Sequence, residues 1–115
     1  MITASITIHG QPGKRTEILQ TIKGIRDQLG RDTRCRQVKV YQDIDDENTF
    51  FFVENWLTER DLDDYLTSRL FRVLLGVTPI LKEPVEIQLL TEMKNRTREM
   101  TTLSKSNSTA REDRA

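Results

Sequence analysis

Cysteine, histidine and tryptophan each occur once in these 115 residues. A lone Cys35 excludes an intrachain disulfide framework. Together with a lone His9 it is also too little for a Cys/His zinc site within one chain. Net charge is missing as well, since 18 basic residues balance 18 acidic ones. Nothing global therefore draws the chain to nucleic acid or anionic lipid. No apolar run approaches the roughly 20 residues needed to span a bilayer. The N-terminus is neither basic nor followed by an apolar secretory stretch. These absences lead us to expect a cytoplasmic protein with no metal, no nucleic acid and no membrane among its partners. The length is that of one ordinary domain, large enough to bury a single core.

What is present reads as alternating short elements. Ile2, Ala4, Ile6 and Ile8 alternate with polar residues, as in a half-buried strand that ends at His9. Gln11-Pro12-Gly13 breaks it. Ile18, Ile22, Ile25 and Leu29 then recur at helical spacing, and Gly30 is a natural stop. Arg34 to Ile44 reads as a second strand with Val38 and Val40 on one face, and Asp45 to Asn48 as a polar turn. Thr49 to Trp56 is a third strand. Its run Phe50 to Val53 is apolar on both faces, so both faces need cover. Thr58 with Asp61 resembles a capping box opening a second helix, with Leu62, Leu66 and Val73 as its central stripe, Tyr65 and Leu70 beside it, and Gly76 at its end. A loop with Ile80-Leu81 leads to a last strand, Pro84 to Leu90. From about Lys94 onward Ser, Thr, Asn and charge dominate. We therefore divide the chain into a domain at 1–92 and a polar tail at 93–115, flexible or partly helical.

The order strand, helix, strand, strand, helix, strand predicts a ferredoxin-like α+β domain. Two helices then cover one face of a four-stranded antiparallel sheet. The opposite face is left for a ligand or, more naturally in so small a chain, a second copy.

The informative segment runs from Glu54 to Phe71. Glu54-x-Trp56 ends a strand, an acidic helix start follows, and Ser68-x-x-Phe71 comes later. In these residues, and in strand-helix order over roughly residues 1–92, the chain resembles the antibiotic biosynthesis monooxygenase family, whose members form dimeric α+β barrels and include quinol monooxygenases. The resemblance implies a homodimer whose two sheets face each other, with a pocket between each sheet and its helices. It also implies oxidation of quinols or related phenols without metal, flavin or any other cofactor. Such chemistry needs an apolar, aromatic-lined cavity, a base, and a donor for a developing oxygen anion. On this resemblance Trp56 and Tyr65 are the expected catalytic residues. Phe52, Asn55, Leu66 and Phe71 are the expected contacts to a small aromatic ligand, although Asn55 alternates to the opposite strand face from Trp56.

Two departures favour a rival reading, a non-catalytic dimeric module that keeps the pocket. The family's helix His falls on Tyr65, whose ordinary pKa near 10 makes it a donor rather than a base. A further His position falls on Leu70. His9 has a suitable pKa but closes the first strand, where it reads as a surface residue. Without a helix His, haem oxygenation is not expected. Each candidate also has a plain structural reading: Trp56 as a core residue, Tyr65 as an amphipathic edge residue, Cys35 as a small hydrophobe despite flanking Arg34 and Arg36. The cluster Asp43, Asp45, Asp46 and Glu47 lacks the Gly and terminal Glu of an EF-hand and reads as a solvated hairpin. Lys14-Arg15 after Pro12-Gly13 is a weak phosphate signal.

Overall fold

The computed structural model describes residues 1–91. Four strands, β1 (Ile2–His9), β2 (Cys35–Gln42), β3 (Thr49–Trp56) and β4 (Glu86–Thr91), form one sheet in the order β2-β3-β1-β4, all neighbours antiparallel. The helix α1 (Arg15–Leu29) crosses from β1 to β2. After β3 come α2 (Glu59–Leu66), α3 (Arg69–Leu75) and a short 3-10 turn at Thr78–Ile80. This is the expected ferredoxin-like arrangement with one change: a single expected helix is two. The proposed polar tail lies outside the described residues.

The break has a local cause. Thr58 caps α2 by accepting from the Asp61 backbone N–H at 3.0 Å. Ser68 caps α3 by accepting from the Phe71 N–H at 3.2 Å, while its hydroxyl donates to the Tyr65 carbonyl at 2.6 Å. Ser68 thus ends one helix and starts the next, which is the physical content of the Ser-x-x-Phe spacing. The break resets the helical phase. Leu62 and Tyr65 are buried on α2, and Phe71 and Leu74 on α3. Val73, expected in the central stripe, is 52% exposed, and Leu66 and Leu70 only pack against the core from its edge.

One sheet face carries the core. Ala4, Ile6 and Ile8 of β1 and Phe50, Phe52, Glu54 and Trp56 of β3 point toward the helices and are buried, against Ile18, Ile22, Ile25 and Leu29 of α1. Full burial of large apolar side chains of this kind stabilises by about 1.5–3 kcal/mol each. The doubly apolar reading of β3 holds: Phe51 and Val53 point to the other face and are half-buried beside Thr7 and Ser5 of β1. Tyr41 of β2 and Leu90 of β4 share that outer face and are exposed.

Two irregularities shape the surroundings of the core. A bulge at Arg36 lets Cys35 pair with Trp56 while Gln37 pairs with Asn55. By strict alternation Cys35 would point away from the Val38 face; the extra residue turns it to the helix side. Gly10 follows β1 where a Cβ would come within 2.5 Å of the Ile18 side chain. A side chain there would displace Ile18 in the core and press on the Asn48 carbonyl, 3.1 Å away.

Candidate functional site

Parity along β3 sets the site. Phe50, Phe52, Glu54 and Trp56 share the helix-facing side, so a carboxylate between Phe52 and Trp56 is forced into the core. Glu54 is fully buried. Its neighbours across the strands are Ala4, whose small side chain leaves room, and Val38.

The carboxylate is partnered by the two residues expected to carry the chemistry. Trp56 Nε1 donates to Glu54 Oε1 at 3.0 Å, and the Tyr65 hydroxyl lies 3.5 Å from Glu54 Oε2, a long hydrogen bond. The Trp56 and Tyr65 rings stack with centroids 4.9 Å apart and planes 24° apart. Phe71 meets the Tyr65 ring edge-on at 5.3 Å. The expected pair is therefore in direct contact, without a gap between the rings for a ligand.

Electrostatics follow burial. Loss of solvation raises the Glu54 pKa to about 7, against which the bonds from Trp56 and Tyr65 act only in part. Tyr65 is pushed well above its ordinary value, first by burial and then by the neighbouring Glu54, so it remains a donor. Cys35 is pushed up to about 11 by burial and by Glu54. The flanking arginines do not activate it, since Arg34 is engaged with Asp32 at 2.9 Å and Asp64 at 3.7 Å. Cys35 is a protonated, half-buried thiol on the flank of the site.

Of the remaining expected contacts, Phe52 is buried on the same face as Glu54, Phe71 covers Tyr65, and Leu66 packs at the margin. Asn55 is not brought to this group. It faces the outer side of the sheet, where it accepts from Thr3 Oγ1 at 2.8 Å and donates to Gln37 Oε1 at 3.2 Å. His9 is at the far end of β1, half-buried, with Nδ1 3.1 Å from Thr49 Oγ1 and Nε2 3.9 Å from Glu83. The Thr49 hydroxyl already donates to Asp46 at 2.7 Å, so its oxygen accepts the hydrogen bond from His9 Nδ1–H. Among the described residues no group of three or more His, Cys, Asp and Glu could hold a metal, and no helix is long and apolar enough to cross a membrane.

A four-stranded antiparallel sheet with helices on one face, and an acid-aromatic cluster at the end of β3, defines the class of small α+β domains with a buried polar centre between sheet and helices. The chain belongs to the antibiotic biosynthesis monooxygenase family, which it matches over residues 1–75. Comparison with curated proteins finds no sequence match. Solved structures share the fold. One antibiotic biosynthesis monooxygenase superposes with a TM-score of 0.75 at 16% identity, covering 81% of this chain and 99% of its own. A conserved protein from Methanosarcina mazei Go1 gives 0.73 at 20% identity, with 80% and 92% covered. A Pseudomonas aeruginosa protein gives 0.71 at 22% identity, with 80% and 93% covered.

Proposed function

We propose that this chain is a cofactor-independent monooxygenase of the family type, acting on a quinol or related phenol, with Glu54 as the base. The observation that carries the reading is the buried Glu54 carboxylate, held between Trp56 and Tyr65 with a pKa near 7. A base works best when its pKa is close to the operating pH, and here a carboxylate supplies what Tyr65 and the absent helix His do not. Glu54 takes the phenolic proton. The electron-rich anion then reduces oxygen, so that one oxygen atom enters the substrate and the other leaves as water, with both electron pairs supplied by the substrate. Tyr65 stays protonated and donates to the developing oxygen anion. Access requires the Tyr65 ring to leave its stack on Trp56, and the helix break directly after it is where such a movement would be taken up.

The assembly that fits this reading is a homodimer, with the outer sheet face around Phe51, Val53 and Tyr41 covered by a second copy. Obligate interfaces commonly bury on the order of 2,000 Å² or more. Light scattering at micromolar concentration is expected to give twice the 13.4 kDa chain mass, and a stable monomer would remove this assembly.

The decisive assay is oxygen consumption with a panel of quinols and hydroxynaphthalenes, corrected for uncatalysed autoxidation. Glu54→Gln is expected to lower turnover by about 100-fold or more, and Tyr65→Phe by up to about 100-fold. Turnover unchanged by Glu54→Gln would refute the role of Glu54. A second reading, the non-catalytic binding module, draws on Tyr65 standing where the family's helix His falls. It is the outcome if these aromatics quench Trp56 fluorescence with no uptake above background.

A further inference from the structure

At the other end of β3 lies a second concavity, between α1 and the edge strand β2, with a volume of about 210 Å³. Its floor is apolar: Leu19 and Ile22 from α1, Val40 from β2 and Phe50 from β3. Its rim is cationic: Arg15, Lys23 and Arg26, with no carboxylate among the lining residues. In a chain of zero net charge this is a local concentration of one sign. The cations differ in how they are held. Arg15 lies over the Phe50 ring, 5.6 Å from its centroid, and donates to Gln42 Oε1 at 2.6 Å and to the Glu47 carbonyl at 3.1 Å. No carboxylate among the described residues pairs with it. Arg26 is paired with Asp27 at 3.1 Å. Lys23 has no ion-pair partner among the described residues.

The geometry points to a binding site for a small aromatic carboxylate, separate from the Glu54 centre and independent of the reading given to it. Charge complementarity selects the anion: Lys23, three residues from Arg26, puts two cations at the same end of the groove. Phe50 and Ile22 lie at the base, 2% and 1% exposed, so the half-buried Leu19 and Val40 and the Arg15 guanidinium that covers the Phe50 ring are what a ligand would meet, and these select a flat apolar body. Size selects one ring. The volume of about 210 Å³ lies below the roughly 300 Å³ at which pockets for drug-sized ligands begin. The Glu54 centre is not this site: the Trp56 and Tyr65 rings stack over it with no gap between them for a ligand. Position separates the two as well, since Phe50 and Glu54 are four residues apart on one strand, or about 13 Å.

The test is amide-resolved NMR titration of the full chain with benzoate, with benzamide as the uncharged ring and acetate as the anion without a ring. Benzoate is expected to shift the amides of Leu19, Lys23 and Val40 saturably. Benzamide and acetate are each expected to bind at least fivefold more weakly. The double variant Lys23→Gln/Arg26→Gln changes only exposed side chains, so the fold is retained. It is expected to weaken benzoate at least fivefold and leave benzamide unchanged. Equal binding of benzamide or of acetate would overturn the proposal, as would shifts centred on Trp56 and Tyr65 or no saturable shift at all. Shifts at these amides on raising protein concentration alone would assign the groove to a second copy of the chain and overturn it too.

Discussion

The two ends of β3 solve opposite problems with the same strand. At the Trp56 end a negative group is buried and closed over by aromatic rings; at the Phe50 end positive groups stand around a groove whose base, Phe50 and Ile22, is apolar and itself buried. The difference comes from what packs above each end. Tyr65 and Phe71, brought in by the α2–α3 break, fill the space over Glu54, whereas over Phe50 the helix α1 presents Arg15, whose guanidinium rests on the ring and is held by Gln42 and the Glu47 carbonyl without a carboxylate partner among the described residues. Desolvation therefore governs the first end and charge complementarity the second.

The comparison is most directly broken by Trp56→Ala. Removing a fully buried indole that also donates to Glu54 is expected to cost about 3–5 kcal/mol, read by chemical denaturation. A loss near 1 kcal/mol would mean that this end is not the closed, packed one. Next in size is the pH dependence. With its pKa raised from 4.5 to about 7, Glu54 binds more protons in the native than in the unfolded chain between those values. Its contribution to stability therefore falls as pH rises from about 4.5 to about 7 and is constant above, a change of roughly 3 kcal/mol. Measured against Glu54→Gln, in which the group cannot ionise, the variant should gain that amount relative to the parent between pH 4.5 and 8. A constant difference would show that Glu54 is solvated.

A smaller effect sharpens the role of the helix break. Ser68→Ala removes the α3 cap and the bond to the Tyr65 carbonyl, and is expected to cost about 1 kcal/mol. If Ser68 also positions Tyr65, Trp56 fluorescence should change with it; an unaltered spectrum would confine Ser68 to capping. Smallest is Arg15→Gln at the open end, where only an exposed-type cation–π contact and two neutral acceptors are lost. A change within about 1 kcal/mol is expected, and a larger one would show that Arg15 is a structural pin of the β2–β3 turn.

Much of the fold is legible in the residues alone. Alternation locates β1 to the residue, whereas β3, apolar on both faces, is located as a run between the polar turn Asp45 to Asn48 and the helix start at Thr58. The same parity, applied to Phe52, Glu54 and Trp56, implies a buried carboxylate, yet the resemblance directs attention to Trp56 and Tyr65 and leaves Glu54 out of the expected site. The α2–α3 break is less visible, since Ser68 in a helical stretch signals a cap only if the phase of the following apolar residues is tested: Phe71 and Leu74 continue a new stripe, not the stripe through Leu66 and Val73. The inward turn of Cys35 has no sequence signal, because a bulge is set by how two strands pair. The cationic groove is equally hidden, as it joins Arg15, Lys23 and Arg26 on α1 to Val40 and Phe50 on two different strands.

Among the described residues the strand β4 hydrogen-bonds to β1 alone, and Leu89 and Leu90, on its two faces, are 50% and 61% exposed. Little apolar contact therefore opposes its release, while β1 keeps its other neighbour, β3. In kinetic terms β4 should open as a unit of its own, well below the free energy of global unfolding. Its amides should exchange with solvent deuterium orders of magnitude sooner than those of β3, so that for brief intervals the working sheet has three strands and a newly bare edge at β1.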